Sequence, residues 1–310
     1  MRLTFLGTSA GEMYPALWCH CPHCDYARAH GGRNLRRHSC ALVDDDVMLD
    51  MSSHAFITAG EMGLDITGIR TLLVTHDHSD HFDPLNLICR VTPTCQGQWC
   101  DTALPCDMAR MDTQVGPRFT PLPMLDIYGH ESVHEAMGRS NSHIGGFSGG
   151  EGAPSDDERL FAMRFHALSR GETFAKPEDD LRVTALVSHH ATPGHVFNYV
   201  LQRGGKTLLY ACDCGGYDED MLALLRTFRF DCVVFEGTFG LAAREDAGHM
   251  NLRKNRQMLQ FFTDGGLWAN QPRFILTHIA PHKAPPYDLY RPMVEAAGMT
   301  LAYDGMTVEI

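Results

Sequence analysis

The chain has 310 residues, 44% hydrophobic and 21% charged, enough apolar material for a full core. Its formal charge of −12 argues against broad electrostatic attraction to nucleic acid or to anionic membranes. No apolar run approaches the roughly 20 residues that span a bilayer. Met1-Arg2-Leu3-Thr4-Phe5-Leu6-Gly7 reads as a short strand rather than a signal peptide, so a cytoplasmic location is expected.

In chain order, apolar or β-branched runs predict strands at Leu3–Leu6, Ala41–Val43, Val47–Asp50 and Thr71–Thr75. A second batch follows at Arg182–Val187, Val196–Leu201, Thr207–Ala211, Asp231–Phe235, Arg273–Thr277 and Thr307–Ile310. Turn residues such as Gly7, Asp44-Asp45-Asp46 and Gly204-Gly205 bound most of them. Helical periodicity falls at Asp218–Phe228, Leu252–Phe262 and Leu289–Ala297. Two batches of strands with helices between and after them predict an α/β, four-layer αββα sandwich, two sheets face to face with helices outside. The whole span 1–310 is read as one domain, with a long Gly/Ser/Asp-rich loop at Asn141–Glu158.

Eighteen histidines and eleven cysteines, an odd number in a chain without an export signal, point to metal sites rather than disulfides. The strongest signal is His76-x-His78-x-Asp80-His81, directly after the apolar run Thr71-Leu72-Leu73-Val74-Thr75. At a strand end, residues i and i+2 point the same way, so His76 and His78 are placed to grip one ion. The chain then turns, and Asp80 and His81 address a second.

With Phe5-Leu6-Gly7-Thr8, a Cys-x-Cys-x-x-Cys, Leu209-Tyr210-Ala211-Cys212-Asp213, Thr277-His278 and Tyr303-Asp304-Gly305-Met306, the cluster resembles the metallo-β-lactamase superfamily. Within it, the order of motifs is similar to the branch of the phosphoribosyl cyclic phosphate phosphodiesterases. The resemblance implies two divalent ions, Zn or Mn, at an active site. His76, His78 and a histidine near 190 would hold the first; Asp80, His81 and His278 the second; Asp213 would bridge both. His189 and His190 are neighbours on a strand end and face opposite ways; the count back from Phe197-Asn198-Tyr199 favours His190, with His189 the alternative. Cys214 stands where the family often has Thr and is read as a bystander. Asp50, closing its strand, is either the carboxylate that orients a ligand histidine or a turn residue.

Trp18-Cys19-His20-Cys21-Pro22-His23-Cys24 has the tight thiolate spacing of a structural zinc site in a Pro-containing loop. The resemblance supplies His282 as the fourth ligand to Cys19, Cys21 and Cys24, with His20 and His23 as local alternatives. It also implies that a hydroxide held between the ions attacks phosphorus. Asp80 and His249 would be the catalytic residues, His249 contacting the phosphate or protonating the leaving oxygen; the alternative is a histidine that merely starts the following helix.

Several residues carry weaker signals. Arg33, Arg36 and Arg37 offer a phosphate grip, but a solvated basic loop is the expected reading. His130 and His134 are read as surface residues at helical spacing, and Cys95, Cys100 and Cys106 match no zinc pattern. The expected function is hydrolysis of a small or cyclic phosphodiester. Alternatives are lactone or thioester hydrolysis, tRNA processing, and a non-hydrolytic cofactor-biosynthesis role of the pyrroloquinoline quinone B type. A homodimer is left open, and the expected partner is a small-molecule substrate.

Overall fold

The computed structural model describes residues 1–90, 122–143, 162–243 and 248–310. Fourteen strands among these residues form two seven-stranded sheets. The first contains β1 (Arg2–Gly7), β2 (Cys40–Val43), β3 (Val47–Leu49), β4 (Thr71–Leu73), β5 (Leu125–Gly129) and β6 (Met163–Ala167), with β14 (Thr307–Glu309) on the outer side of β1. The second runs β13 (Thr300–Leu301), β12 (Phe274–Thr277), β11 (Cys232–Glu236), β10 (Lys206–Ala211), β9 (Phe197–Arg203), β8 (Leu181–Val187), β7 (Thr173–Lys176). Each sheet is part antiparallel and part parallel, with β3 to β6 and β10 to β13 as the parallel halves.

The side-chain period of two explains the layers. In β10, Leu208 and Tyr210 enter the core between the sheets, while Leu209 and Ala211 face the helices. In β11, Cys232 and Val234 face inward, Val233 and Phe235 outward. A strand covered on both faces reads as one continuous apolar run, which is why these strands are visible in the sequence. Helices α2 (Ala55–Glu61) and α3 (Glu131–His143) cover the first sheet through Ala55, Ala59, Val133 and Met137. Helices α4 (Glu219–Leu225), α5 (Leu252–Asp264) and α6 (Tyr287–Ala296) cover the second through Met221, Leu225, Phe262, Tyr290 and Val294. The result is the four-layer αββα sandwich. Asp218 and Asn251 cap α4 and α5 by accepting from Met221 N and Lys254 N.

Two features differ from expectation. Helix α3 runs through His143, past the start of the expected loop at Asn141; residues 144–158 of that loop lie outside the described residues. Strands β5, β6, β7 and β13 and helices α1 (Pro22–His30) and α2 were not among the predicted elements. Cys95, Cys100 and Cys106 lie outside the described residues.

Short strands end abruptly at one rim of the sandwich, and the histidine and aspartate candidates follow their ends. Asp50, Asp213 and His278 follow β3, β10 and β12 with φ of 60°, 53° and 55°, a left-handed conformation that is costly for non-glycine residues. Gly7 ends β1 where a Cβ would stand 1.8 Å from the carbonyl oxygen of His38, so no larger residue fits. The rim is tied across the sheets: Phe197 N donates to Thr75 O at 2.9 Å, and the Tyr199 hydroxyl donates to Val74 O at 2.6 Å.

Candidate metal centre

His76, His78, His190 and Asp213 each place a ligand atom within 4.8 Å of the others, and His81, Cys212, Asp213 and His278 form a second such group. Asp213 belongs to both. Its Oδ2 lies 3.4 Å from His76 Nε2, 3.2 Å from His190 Nε2 and 3.4 Å from His81 Nε2, and its Oδ1 lies 3.1 Å from His278 Nδ1. Asp80 Oδ2 approaches the second group at 3.5 Å from His81 Nε2 and 3.4 Å from His278 Nε2. Of the two neighbours near 190, His190 faces the cluster; His189 is exposed, with its backbone bonded to Gly215 and Gly216.

The hydrogen bonds fix which ring nitrogens face inward. Asp50, fully buried, accepts from Thr75 N at 2.7 Å and Thr75 Oγ1 at 2.8 Å through Oδ1, and from His81 Nδ1 at 2.8 Å through Oδ2. His190 Nδ1 donates to Gly248 O at 2.9 Å. The Thr238 hydroxyl donates to His278 O at 3.0 Å and so accepts from His278 Nδ1 at 2.7 Å. Each ring therefore presents Nε2 to the cluster, the usual tautomer of a metal ligand with a partner behind it.

The atoms so presented lack protein partners. His76 Nε2, His190 Nε2 and Asp213 Oδ1 are buried without a hydrogen bond, each at a cost of about 1–3 kcal/mol. His81 Nε2 and His278 Nε2 face one another at 3.0 Å, an approach that needs a proton or a cation between them. Burial, reinforced by the His81 ring, holds His76 well below the ordinary imidazole range, and burial also lowers His190. Burial alone would lower His81 too, but Asp213, Asp80 and Asp50 outweigh it and raise it well above. Burial would likewise raise Asp213, yet His278 and His81 keep it well below the usual carboxylate range. Neutral imidazoles and ionised carboxylates around an exchangeable proton are the donor set a divalent cation takes. The residues fit such ions.

Behind the cluster, His249 Nδ1 lies 2.9 Å from Glu236 Oε1, and its ring packs 4.6 Å from His190 and 5.2 Å from Phe239. Glu236 is fully buried at the end of β11, where Met250 N at 2.8 Å and Thr238 N at 2.7 Å also bind its carboxylate. Helix α5 begins after His249, with Asn251 as its cap, so this histidine both precedes a helix and reaches the cluster. Sequence reasoning missed Glu236, Thr238 and Cys212. A carboxylate closing an apolar strand, as Asp50 does, was the available sign of Glu236.

The cysteines gather separately. Cys19, Cys21, Cys24 and His282 place their ligand atoms within 4.8 Å of each other, with His282 Nε2 at 3.2 Å from Cys19 Sγ. The competing rings are turned elsewhere: His20 bonds Asp25 at 3.1 Å, and His23 Nδ1 donates to Pro281 O at 2.9 Å. The motif is only partly a loop, since Pro22 starts α1 and Cys24 lies in its first turn. Burial pushes the Cys24 thiol up to about 12, whereas hydrogen bonds to Cys21 from Cys24 and Cys19 outweigh its burial and lower it. A cation binding there displaces the remaining protons.

The arginines do not form the expected solvated loop. Arg36 is 3% exposed and donates through Nη1 to Thr8 Oγ1 and Ala302 O, both at 2.8 Å; Arg37 pairs with Glu61; Arg33 lies over the Tyr303 ring. His134 is exposed, as expected for a surface residue, while His130 is half-buried and stacks on His195 with ring centroids 3.9 Å apart. Cys214 is buried in the core between the second sheet and its helices, apart from either ligand group.

A family model described as a beta-lactamase superfamily domain matches residues 125–279, half of the chain. No curated protein gives a significant sequence match. Among solved structures, a new diphosphatase from the PhnP family superimposes with a TM-score of 0.67 at 17% identity, covering 100% of this chain and 98% of that one. Zn²⁺-bound PqqB from Methylobacterium extorquens gives 0.64 at 19%, covering all of both chains. Human tRNase Z, short form, gives 0.57 at 19%, covering 100% and 99%. Likenesses at this identity establish the fold. Among the described residues, no helix is long and apolar enough to cross a membrane. The matched domain, the sandwich and the histidine–aspartate cluster at its rim together place the chain in the beta-lactamase superfamily, with the metallo-β-lactamase fold, whose members are generally metal-dependent hydrolases.

Proposed function

We propose that the chain hydrolyses a small phosphodiester at this cluster, with His76, His78, His190 and Asp213 holding one divalent ion and Asp80, His81, Asp213 and His278 a second. When bound, such ions supply Lewis acidity that lowers the pKa of water toward neutrality and offsets negative charge developing on phosphoryl oxygens. The observation that carries the reading is that His76 Nε2 and His190 Nε2 are buried without a hydrogen bond and lie 3.4 and 3.2 Å from Asp213 Oδ2.

The chain's own contribution is orientation and proton delivery. Asp50, Thr238 and Gly248 O set the ring tautomers of His81, His278 and His190. The Glu236 carboxylate accepts from His249 Nδ1 at 2.9 Å and orients the ring beside the cluster, where as an imidazolium it would deliver a proton to the departing oxygen. An alkoxide leaves poorly without that proton, whereas a thiolate from a thioester does not need it. The His249–Glu236 pair therefore favours an oxygen ester. The acidic balance of the chain favours a small substrate over tRNA.

The test compares hydrolysis of bis-nitrophenyl phosphate and an alkyl phosphodiester with a lactone and a thioester panel, in wild type and in His249→Ala. The proposal expects turnover of the alkyl phosphodiester, whose alkoxide needs the proton, to fall about 10²–10⁴-fold in the variant with metal content unchanged, and turnover of bis-nitrophenyl phosphate, whose nitrophenolate does not, to fall much less. Preferential lactone or thioester turnover would overturn it. So would the absence of any hydrolysis in metal-loaded protein, which would point to a non-hydrolytic carrier.

A further inference from the structure

One member of the second donor group has no place in the ligand set just described. Cys212 is fully buried, and its Sγ lies within 4.8 Å of a ligand atom on each of His81, Asp213 and His278. We propose that Cys212 is a fifth, sulfur donor to the second metal position, entering from its buried side and making that position a thiophilic, zinc-type site. The inference rests on the two-ion reading above.

The backbone holds the thiol there. Cys212 follows β10 directly, and its carbonyl accepts from Asn198 Nδ2 at 2.9 Å; Asn198 is in turn held by the Tyr217 hydroxyl at 2.7 Å. The next residue, Asp213, turns through a left-handed φ of 53° and carries its carboxylate to both ligand groups. Asp80, with 15% of its side chain exposed, reaches His81 and His278 from the solvent side. The second position thus has carboxylate and imidazole donors with a thiol below them.

Independent signs of a ligand converge on the same place. Asp213 Oδ1 is buried without a hydrogen bond, and the His81 and His278 Nε2 atoms face each other at 3.0 Å. The two positions then differ in kind. The first has only nitrogen and oxygen donors, which suit Zn, Mn and Fe alike; a thiolate tips the second toward Zn. Loading exchanges bonds in balance: the S–H bond breaks, its proton passes to buffer, and the sulfur lone pair forms the bond to the ion.

The full chain loaded with ¹¹³Cd²⁺ and observed by cadmium NMR tests this, because each thiolate ligand moves the resonance downfield. Three resonances are expected: one far downfield from Cys19, Cys21 and Cys24, one intermediate, and one in the nitrogen/oxygen range. In Cys212→Ser the intermediate resonance should move upfield while the others stay. Zn²⁺ affinity at that position should fall about 10–100-fold, with Mn²⁺ affinity changed much less. Two wild-type active-site resonances both in the nitrogen/oxygen range would overturn the inference and leave the two-ion reading intact. An intermediate resonance unmoved by the substitution would overturn it as well. A single active-site resonance would remove both readings. The wild-type spectrum decides even if the variant fails to fold.

Discussion

Replacing Asp50 with Asn tests how the chain prepares a ligand before any ion arrives. The wild-type carboxylate accepts three short bonds, two from Thr75 at 2.7 and 2.8 Å and one from His81 Nδ1 at 2.8 Å. An amide has one acceptor oxygen. If that oxygen keeps both Thr75 bonds, the new NH₂ confronts the His81 Nδ1 proton, and two donors cannot share a contact in a fully buried site. His81 escapes by moving its proton to Nε2, which withdraws the lone pair from the second metal position. Loss of such an orienting partner costs 10–100-fold in metal affinity, about 1.4–2.7 kcal/mol. Competition against a chelator of known affinity, with Zn²⁺ and wild type in parallel, measures it. One active-site ion should weaken by that factor, with the ion at Cys19, Cys21, Cys24 and His282 unaffected. Equal binding of every ion by Asp50→Asn would refute the claim that this carboxylate sets the His81 tautomer.

Three further outcomes follow. Gly240 has φ 42°, and a Cβ there would stand 2.5 Å from both Lys283 O and Ala284 Cβ; Gly240→Ala should cost about 2–4 kcal/mol and lower Tm by about 5–10 °C in a thermal melt. Burial raises the Asp304 carboxyl from 3.8 to about 6 despite bonds from Thr8 and Arg37 N. A raised acid gives stability that is complete below its unfolded pKa and is lost as pH rises through the folded value. Denaturant unfolding of wild type relative to Asp304→Asn should therefore shift by about 2 kcal/mol between pH 4 and 7, favouring wild type at the acid end; a pH-independent difference would contradict this. Finally, Cys21→Ser should remove one ion per chain by elemental analysis and also weaken Zn²⁺ at the second active-site position, because His282 and His278 share one short loop. Unaltered affinity there would separate the two centres.

The legible parts of this structure are those where burial acts on both sides of a strand. Leu72-Leu73-Val74 and Leu208-Leu209-Tyr210-Ala211 read as unbroken apolar runs because each alternate residue meets a different covered layer, and the ligands stand at the ends of those runs. The edge strands β6 and β7 were not legible, because Arg164 and Thr173 are exposed and dilute the pattern. Helix α1 was hidden by its ligands, since Pro22 and Cys24 read as a loop. Arg36 was misread because the partners that bury it, Thr8 and Ala302, lie 28 and 266 positions away. Glu236 escaped for the same reason on a smaller scale, its partner His249 being 13 positions further along.

Because the rim donors are contributed by both sheets, His76 to His81 from one and His190, Asp213 and His278 from the other, cation affinity is also a gauge of how well the two layers mesh. A substitution deep in the interlayer packing, at Phe197 or Tyr199 for instance, touches no donor atom yet would loosen the grip on an ion. In a screen scored by turnover alone, such a change would pass for an active-site lesion. Metal occupancy measured beside melting temperature tells the two apart.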